Sequence, residues 1–456
     1  MPTDPILFWN AVALETHRRD FAFDIGPDGR VQLPEQGGPT RTSRALAIVH
    51  IAMYDAWNGA NATGNSYLGA HAGAPALPAL PPGAAADTAV AGAAATTLRA
   101  LFPRQRAWID AQVALFCAQL PSGVTNAQRN DGMGFGNAVG MLLLDFRSGD
   151  GADDATPYQP GHLPGQHRED PYNPGQGFLD PRWGEVAPFC IPPFPAGGNT
   201  AGYLPPPPPL NDPLYRAHFI EARDRGARAR GARTATQEMT GLYWAYDGPK
   251  GLGTPPRMYN QIVRQIATDQ GNTTAQNARL FALVNVGMAD AGIVAWRAKY
   301  EHNLWRPAVG VREDDLGTGP TGLGTGNAAG GDPAWRAFGA PRSNEPGRGH
   351  FTPPFPAYPS GHASFGTAVF ELVARFYGVA KTALSFSFVS DELNGQTLDD
   401  DGSARTCVRR TYTLQGAIDD NIASRVWLGV HWRFDGEGGR QLGETVATQV
   451  FGAGFP

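Results

Sequence analysis

A chain of 456 residues can bury a sizeable core, as one large domain or as two to three ordinary ones. Hydrophobic residues make up 42% and charged residues 17%, which describes a compact, soluble globular protein. The formal net charge of −5 excludes a general attraction to nucleic acid or to an anionic membrane, so any anion site has to be built locally.

In chain order, the apolar positions Leu46, Val49, Ile51, Met53 and Trp57 predict a buried helix over 42–60, with Thr42 or Ser43 as its cap. His50 and Asp55 inside it read as polar groups satisfied by the packing and stay outside the candidate site. Segments 84–101, 106–120 and 126–146 also read as helices, the first rich in alanine, so the N-terminal third is expected to be a helical bundle. From about 147 to 211 the chain turns rich in Pro and Gly and ends in the run 205–209, which favours polyproline II and acts as a stiff connector. The basic run Arg223, Arg225, Arg228, Arg230 and Arg233 lacks interleaved aromatics, so it reads as a solvated face and not a nucleic-acid contact.

A long helix is predicted from 273 to about 305, carrying Leu280, Leu283, Val284, Val286, Ile293 and Trp296, with Lys299 near its end and Pro307 to stop it. Segment 317–350 is a glycine-rich loop without the preceding strand that a phosphate loop requires. Helices resume at 361–377, near 414–428 and at 438–450. Strand-like alternation is scarce, so the expected fold is all-α: two packed helical bundles with long Pro/Gly-rich connecting loops. The expected division is an N-terminal bundle over 1–150, a connector with a basic helix over 151–235, and a site-bearing C-terminal bundle over 236–456, together one compact unit.

Cys117, Cys190 and Cys407 are odd in number, far apart and without a C-x-x-C pair, which argues against a disulfide framework or a thiolate metal site. Segment 1–10 has no basic stretch followed by an apolar core, and no run of about 18 apolar residues occurs. The expectation is a soluble protein with no membrane span, cytoplasmic by default; a removed export signal leaves no trace in such a sequence. Oligomeric state is not readable from these patterns.

Three short clusters carry the chemistry: Lys299 with Arg306-Pro307, then Pro359-Ser360-Gly361-His362, then Ser424-Arg425 with Gly429 and His431. They supply three permanent cations, a hydroxyl, a glycine amide and two imidazoles, an inventory for holding a compact, multiply charged oxyanion. Lys299 and Arg306 are seven positions apart, close to two helical turns, and are expected on one face. Ser360 is a good N-cap, Pro359 restricts the approach, and Gly361 opens a helix whose free amides favour an anion. Arg425 and His431 are six apart, so a helix ending near Gly429 is needed to bring both inward, with Asp435 placed to orient the imidazole.

Lys299-x6-Arg306-Pro307, Pro359-Ser360-Gly361-His362 and Ser424-Arg425-x3-Gly429-x-His431 resemble the three signature motifs of vanadium-dependent haloperoxidases and of the type-2 phosphatidic acid phosphatase superfamily. Flanking stretches resemble the fungal vanadium chloroperoxidase type: Trp244-Ala245-Tyr246-Asp247-Gly248, 253–264, 353–366, Glu392-Leu393-Asn394-Gly395 and 428–435, together with Leu7-Phe8-Trp9-Asn10 and Ser43-Arg44-Ala45-Leu46. The resemblance implies an all-α fold and a vanadate cofactor (orthovanadate, V(V)) with no haem. It implies that Lys299, Arg306, Ser360, the Gly361 amide and Arg425 hold vanadate, with His431 as the metal ligand. His362 is the implied acid–base residue, Lys299 the group that stabilises charge on peroxide, and Asp247 the partner of Arg425. The implied reaction is oxidation of chloride or bromide by hydrogen peroxide to hypohalous acid through a peroxovanadate, with small organic acceptors halogenated downstream.

Phe355 and Trp296 match aromatic positions of the chloroperoxidase type, which implies a halide pocket favouring chloride; as ordinary aromatics they would be core. His302 and Asn303 depart from the pattern, standing where the fungal type is more apolar. The alternative reading is an acid phosphatase of the same superfamily, with His431 attacking phosphorus and His362 protonating the leaving group.

Overall fold

The computed structural model describes residues 4–26, 29–71, 73–195 and 197–453, so 1–3, part of the stretch read for a leader, lie outside it. Helices begin where the sequence supplies caps. Thr125 and Thr273 each accept from a backbone N–H three residues on, and Gln128 and Gln276 reach back to close capping boxes. Among the described residues there are fourteen α-helices. The N-terminal part holds α1 (Pro5–Asp20), α2 (Gly38–Ala60), α3 (Tyr67–Ala70), α4 (Ala86–Leu101), α5 (Arg106–Ala118) and α6 (Asn126–Phe146). After the connector come α7 (Pro213–Arg225), α8 (Ala235–Tyr243), α9 (Pro255–Asp269) and α10 (Thr274–His302). The last group is α11 (Pro307–Gly310), α12 (Gly361–Tyr377), α13 (Leu414–Trp427) and α14 (Arg433–Ala453).

Helix α10 is the axis of the fold. It is buried along almost its whole length and packs against α2 on one side and α12 and α14 on the other. By length and composition it could cross a membrane, but 94% of its most apolar window is buried inside the protein. Apolar side chains from Ile6 to Val450 form one continuous core around it. His50 and Asp55 of α2 are satisfied inside this packing: His50 contacts the Leu46 carbonyl and Asn10, and Asp55 accepts from the Tyr67 and Leu68 amides. Asp290 of α10 accepts three backbone N–H bonds, from Phe189, Cys190 and Ile191, and so docks the irregular connector onto the core.

The structure departs from the sequence reading at several element ends. Helix α2 starts at Gly38, four residues early, because Pro39 suits a first turn. The Thr42 and Ser43 hydroxyls, expected to cap, instead bond back to carbonyls between Gln36 and Thr40. Helix α10 ends at Asn303, whose left-handed φ of 51° stops it before Pro307, so Arg306 does not share a helix with Lys299. Helix α14 begins at Arg433 instead of 438. A small antiparallel hairpin, β1 (Ser385–Val389) with β2 (Arg409–Thr413), went unpredicted. Within the basic run, Arg228 and Arg230 are on the surface, but Arg233 is buried, paired with Glu238 and stacked on Phe338 at 4.2 Å.

Candidate active site

The three clusters meet at one end of α10. Lys299 lies in the last turn of α10; the left-handed turn at Asn303 then reverses the chain, and Arg306 arrives as the N-cap of α11. Ser360 is the N-cap of α12, its oxygen accepting from the Ala363 amide, which leaves Gly361 as the first helical residue. Arg425 sits in the last turn of α13, and Gly429 ends the run with a φ of +69°. A Cβ there would meet the Gly226 carbonyl oxygen at 2.2 Å, so both conformation and space require glycine. That break lets Val430 and His431 turn inward before α14 begins.

The elements are stitched together by the site residues themselves. Lys299 Nζ donates to the carbonyls of Pro356 (2.9 Å), Ala357 (3.2 Å) and Pro359. Arg306 donates to the Phe355 carbonyl at 2.8 Å, to the Val430 carbonyl at 2.7 Å and to His431 Nε2 at 3.0 Å. The Ser360 amide donates to the Asp435 carbonyl at 2.8 Å. Arg425 forms a two-pronged pair with Asp247, at 3.0 and 2.7 Å.

These contacts settle protonation. A guanidinium cannot accept, so His431 Nε2 takes the Arg306 N–H on its lone pair, and Nδ1 carries the proton that it donates to Asp435 at 2.9 Å. Burial, followed by the charges of Arg306 and Lys299, holds His431 well below the ordinary histidine value, so the ring is neutral. Burial pushes Asp435 up to about 7, against the Trp432 amide and the nearby cations. His362 Nε2 lies 2.5 Å from the Ala245 carbonyl and must be the donor; burial and then the Arg425 charge push it down to about 3, leaving Nδ1 bare. Burial and then Arg306 lower Lys299, yet its three carbonyl acceptors use three N–H bonds, which only the ammonium form offers. Burial brings Arg306 down to about 9, still cationic at neutral pH.

The floor therefore carries three buried cations against two buried carboxylates, Asp247 and Asp435. Among the described residues, Arg306 Nη2 and Arg425 Nε are buried donors without a partner. Unpaired buried donors and excess charge are both costly, and a compact oxyanion relieves both. The donor set fits vanadate: two spare guanidinium N–H groups, a helix N-terminus at Gly361 and a neutral imidazole with its lone pair on Nε2. Among the described residues no group of three or more His, Cys, Asp or Glu side chains gathers as it would for a bare metal ion.

Gly361, His362, Arg425, His431 and Asp247 line a cavity of about 540 Å³, together with Phe355 and Trp296. The Phe355 ring lies 5.0 Å from Lys299 Nζ and 4.8 Å from Arg306 Cζ, and the Trp296 ring 5.5 Å from Lys299 Nζ, within cation–π range. All ten residues singled out from the sequence are thus in this one region. Lys299 points at carbonyls rather than into the cavity. His302 is outside it, against Tyr358 at 5.5 Å beside the polyproline run. Sequence reasoning missed the upper wall, formed by Phe21, Phe23, Leu33 and Leu179, because nothing marks such loop residues as converging.

Comparison with known proteins gives the family. The chain matches the family model for a vanadium chloroperoxidase N-terminal domain over residues 2–177 and that for a VCPO second helical-bundle domain over 279–453. It is 33% identical over 514 aligned positions to the vanadium chloroperoxidase of Curvularia inaequalis, covering 96% of this chain and 80% of that protein. In fold it resembles a bacterial vanadium-dependent iodoperoxidase, with a TM-score of 0.73 and 19% identity over 97% of this chain and 95% of that one. It also resembles a holo-type bacterial vanadium-dependent chloroperoxidase, with a TM-score of 0.61 and 16% identity over 91% and 93% of the two chains. Motifs, geometry and extended sequence identity converge, and the chain belongs to the vanadium chloroperoxidase family.

Proposed function

We propose that the protein is a vanadate-dependent haloperoxidase that oxidises chloride or bromide with hydrogen peroxide to hypohalous acid. The observation that carries this reading is the buried excess of positive charge around His431 Nε2, in a chain related to a vanadium chloroperoxidase along 96% of its length. The chemistry vanadate supplies when bound is Lewis-acid activation of peroxide toward halide.

The remaining roles belong to the chain. His431 presents Nε2 as the metal ligand, its tautomer held by Asp435. Arg306 and Arg425 would offer their spare N–H groups to the oxyanion, and Asp247 fixes the Arg425 fork. Ser360 and the Gly361 amide would hold the oxyanion at the α12 N-terminus. Lys299, held by the Pro356, Ala357 and Pro359 carbonyls, would add positive potential that stabilises negative charge on the oxyanion and on peroxide. His362 Nδ1, bare in the neutral ring, takes and returns a proton. Phe355 and Trp296 would form a cation-backed aromatic pocket for halide, which favours chloride.

The test is halogenation of a reporter with peroxide and bromide or chloride, with and without vanadate, run beside hydrolysis of p-nitrophenyl phosphate. Vanadate-dependent halogenation that His431→Ala abolishes is the expected result. Phosphate-ester hydrolysis with no halogenation overturns the reading in favour of the phosphatase.

A further inference from the structure

We propose that the cavity above the oxyanion floor binds an uncharged, electron-rich aromatic acceptor, which is halogenated there before hypohalous acid escapes. This rests on the haloperoxidase reading of the floor.

Size is the first argument. A halide ion and hydrogen peroxide need little more room than a water or two, whose share of liquid is roughly 30 Å³ each. The cavity of about 540 Å³ has instead the volume of a site for an organic molecule.

The wall is the second. Phe23 and Leu33 from the N-terminal loop, Leu179 from the connector, Phe351 and Phe355 from the segment before α12 and Trp296 from α10 face the same space. Four of them, Phe23, Leu33, Leu179 and Phe351, stand outside the proposed halide pocket; these side chains from three separate stretches gain nothing from the passage of small hydrophilic reactants, but they bind an apolar body by removing it from water. The ionic groups on the same wall are already engaged. Arg41 pairs with Asp180 at 3.2 Å, Glu35 accepts from the Arg104 amide, and Asp247 holds Arg425. The wall therefore offers a charged acceptor no ready counter-charge, and the excess positive charge of the floor would be taken up by the bound oxyanion.

The mouth is the third. Ile25 and Val31 are bridged across the N-terminal loop and are 65% and 53% exposed; Leu33 beside them is 77% exposed. Leu33 also lines the cavity, so this loop brings an exposed aliphatic side chain to the opening.

A ring seated between mouth and floor lies beside the place where the oxidant forms. Its carbon attacks the halogen of hypohalous acid; the carbon–halogen bond forms as the halogen–oxygen bond breaks, and the ring proton leaves with the hydroxide as water. Electron-rich rings are the ones that react this way, which sets the substrate class.

The experiment is a competition between 4-methylphenol and 4-hexylphenol, which offer the same two ring positions and differ only in apolar length. Holoenzyme with vanadate, bromide and peroxide acts on an equimolar mixture, and the product ratio is compared with that from added hypobromite at the same pH. The enzyme ratio is expected to favour the hexyl compound at least about fivefold over the hypobromite ratio, since each added methylene strengthens apolar binding. Leu33→Ser, at an exposed position that cannot compromise folding, and Phe23→Ser should each pull the ratio toward the hypobromite value. Equilibrium dialysis of 4-hexylphenol against the vanadate-loaded protein without peroxide should show retention that the double variant loses. A product ratio equal to that of added hypobromite overturns the proposal, as does absence of retention. If neither phenol is halogenated, the haloperoxidase reading has failed, and the dialysis alone decides whether the cavity is an aromatic site.

Discussion

Gly439 offers a way to move the proposed oxyanion floor without touching any of its side chains. It lies on α14 where that helix crosses the start of α12, and a Cβ added to it would stand 2.7 Å from the Ser360 carbonyl oxygen and 2.7 Å from Ala363 Cβ. Ordinary contact begins near 3.4 Å, so Gly439→Ala has to part the two helices by about 0.7 Å at the residue that caps α12. Overpacking of that kind costs about 1–3 kcal/mol, and the helix propensity of alanine returns roughly 1 kcal/mol, for a net loss of about 0–2 kcal/mol. Catalysis is expected to suffer more, because a misplacement of about 1 Å at a positioned group can cost on the order of 100-fold, so kcat/KM should fall by about 10- to 100-fold.

The comparison is Gly443→Ala, one turn further along the same helix pair. Its Cβ would lie 2.7 Å from Thr367 Cβ, 2.8 Å from the Ser364 carbonyl oxygen and 2.9 Å from the Ala368 amide, a similar clash farther from the cap. Gly452→Ala, which meets nothing within 4 Å, serves as the neutral control. Urea unfolding gives the stabilities, and steady-state bromination at saturating vanadate, normalised to folded protein, gives the rates. The reasoning is refuted if Gly439→Ala and Gly443→Ala lose kcat/KM equally, or if Gly439→Ala loses it only in proportion to its unfolded fraction.

Asp247→Ala leaves the buried Arg425 guanidinium without its carboxylate and should destabilise the vanadate-free protein by about 3–5 kcal/mol in urea unfolding, whereas a loss under about 1 kcal/mol would mean the pair is not structurally required. His362, pushed down to about 3 by burial and Arg425, should regain basicity when a bound anion offsets that charge, so orthovanadate or phosphate binding near pH 6 is expected to take up protons. Calorimetry in buffers of different ionisation enthalpy reads that uptake, which should vanish in His362→Phe; a buffer-independent enthalpy for the wild type counts against it. Asp290 is raised from 3.8 to about 6 by burial, so its native carboxyl binds its proton more tightly than the unfolded one. The stability it contributes is complete below about pH 4 and is lost as pH rises through about 6, a swing of up to about 3 kcal/mol. Measured from pH 4 to 8, the stability of the wild type relative to Asp290→Asn should fall over that window and then level; a flat difference refutes the assignment.

What could be read in the sequence follows from which contacts are local. Thr125 and Thr273 announce helix starts through partners three residues away, and Ser360-Gly361 places the α12 N-terminus at the observed residue. The candidate site was readable for a related reason: its side chains are chemically unusual, and the spacing within each cluster is short. Asn303, noticed only as a departure from a pattern, is the left-handed residue that ends α10, and its role depends on how the chain reverses toward Arg306. The start of α14 was placed at 438 instead of Arg433, inside a stretch that holds Gly436, Gly438 and Gly439. In the fold they make room for Ile422, Tyr358 and the Ser360 turn, a tertiary reason that no local pattern carries. The carbonyls that hold Lys299 and the loop residues above the floor were invisible for the same cause, since backbone groups and ordinary apolar residues have no signature until the fold brings them together.

The partners of the three cations explain how the floor can be both stable and receptive. Were each cation matched by its own carboxylate, the pocket would be neutral and would repel an incoming oxyanion through its nearest groups. Instead Lys299 is solvated by three carbonyls, and Arg306 by two carbonyls and a neutral imidazole. Carbonyl dipoles satisfy the N–H groups without cancelling net charge, so each cation is hydrogen-bonded while its field survives. Only Arg425 has a full counter-ion, and it is Arg425 whose charge acts most strongly on His362. Asp247 thereby tempers the one cation that would otherwise hold the proton carrier too far from use, while the other two keep the potential that draws the anion in.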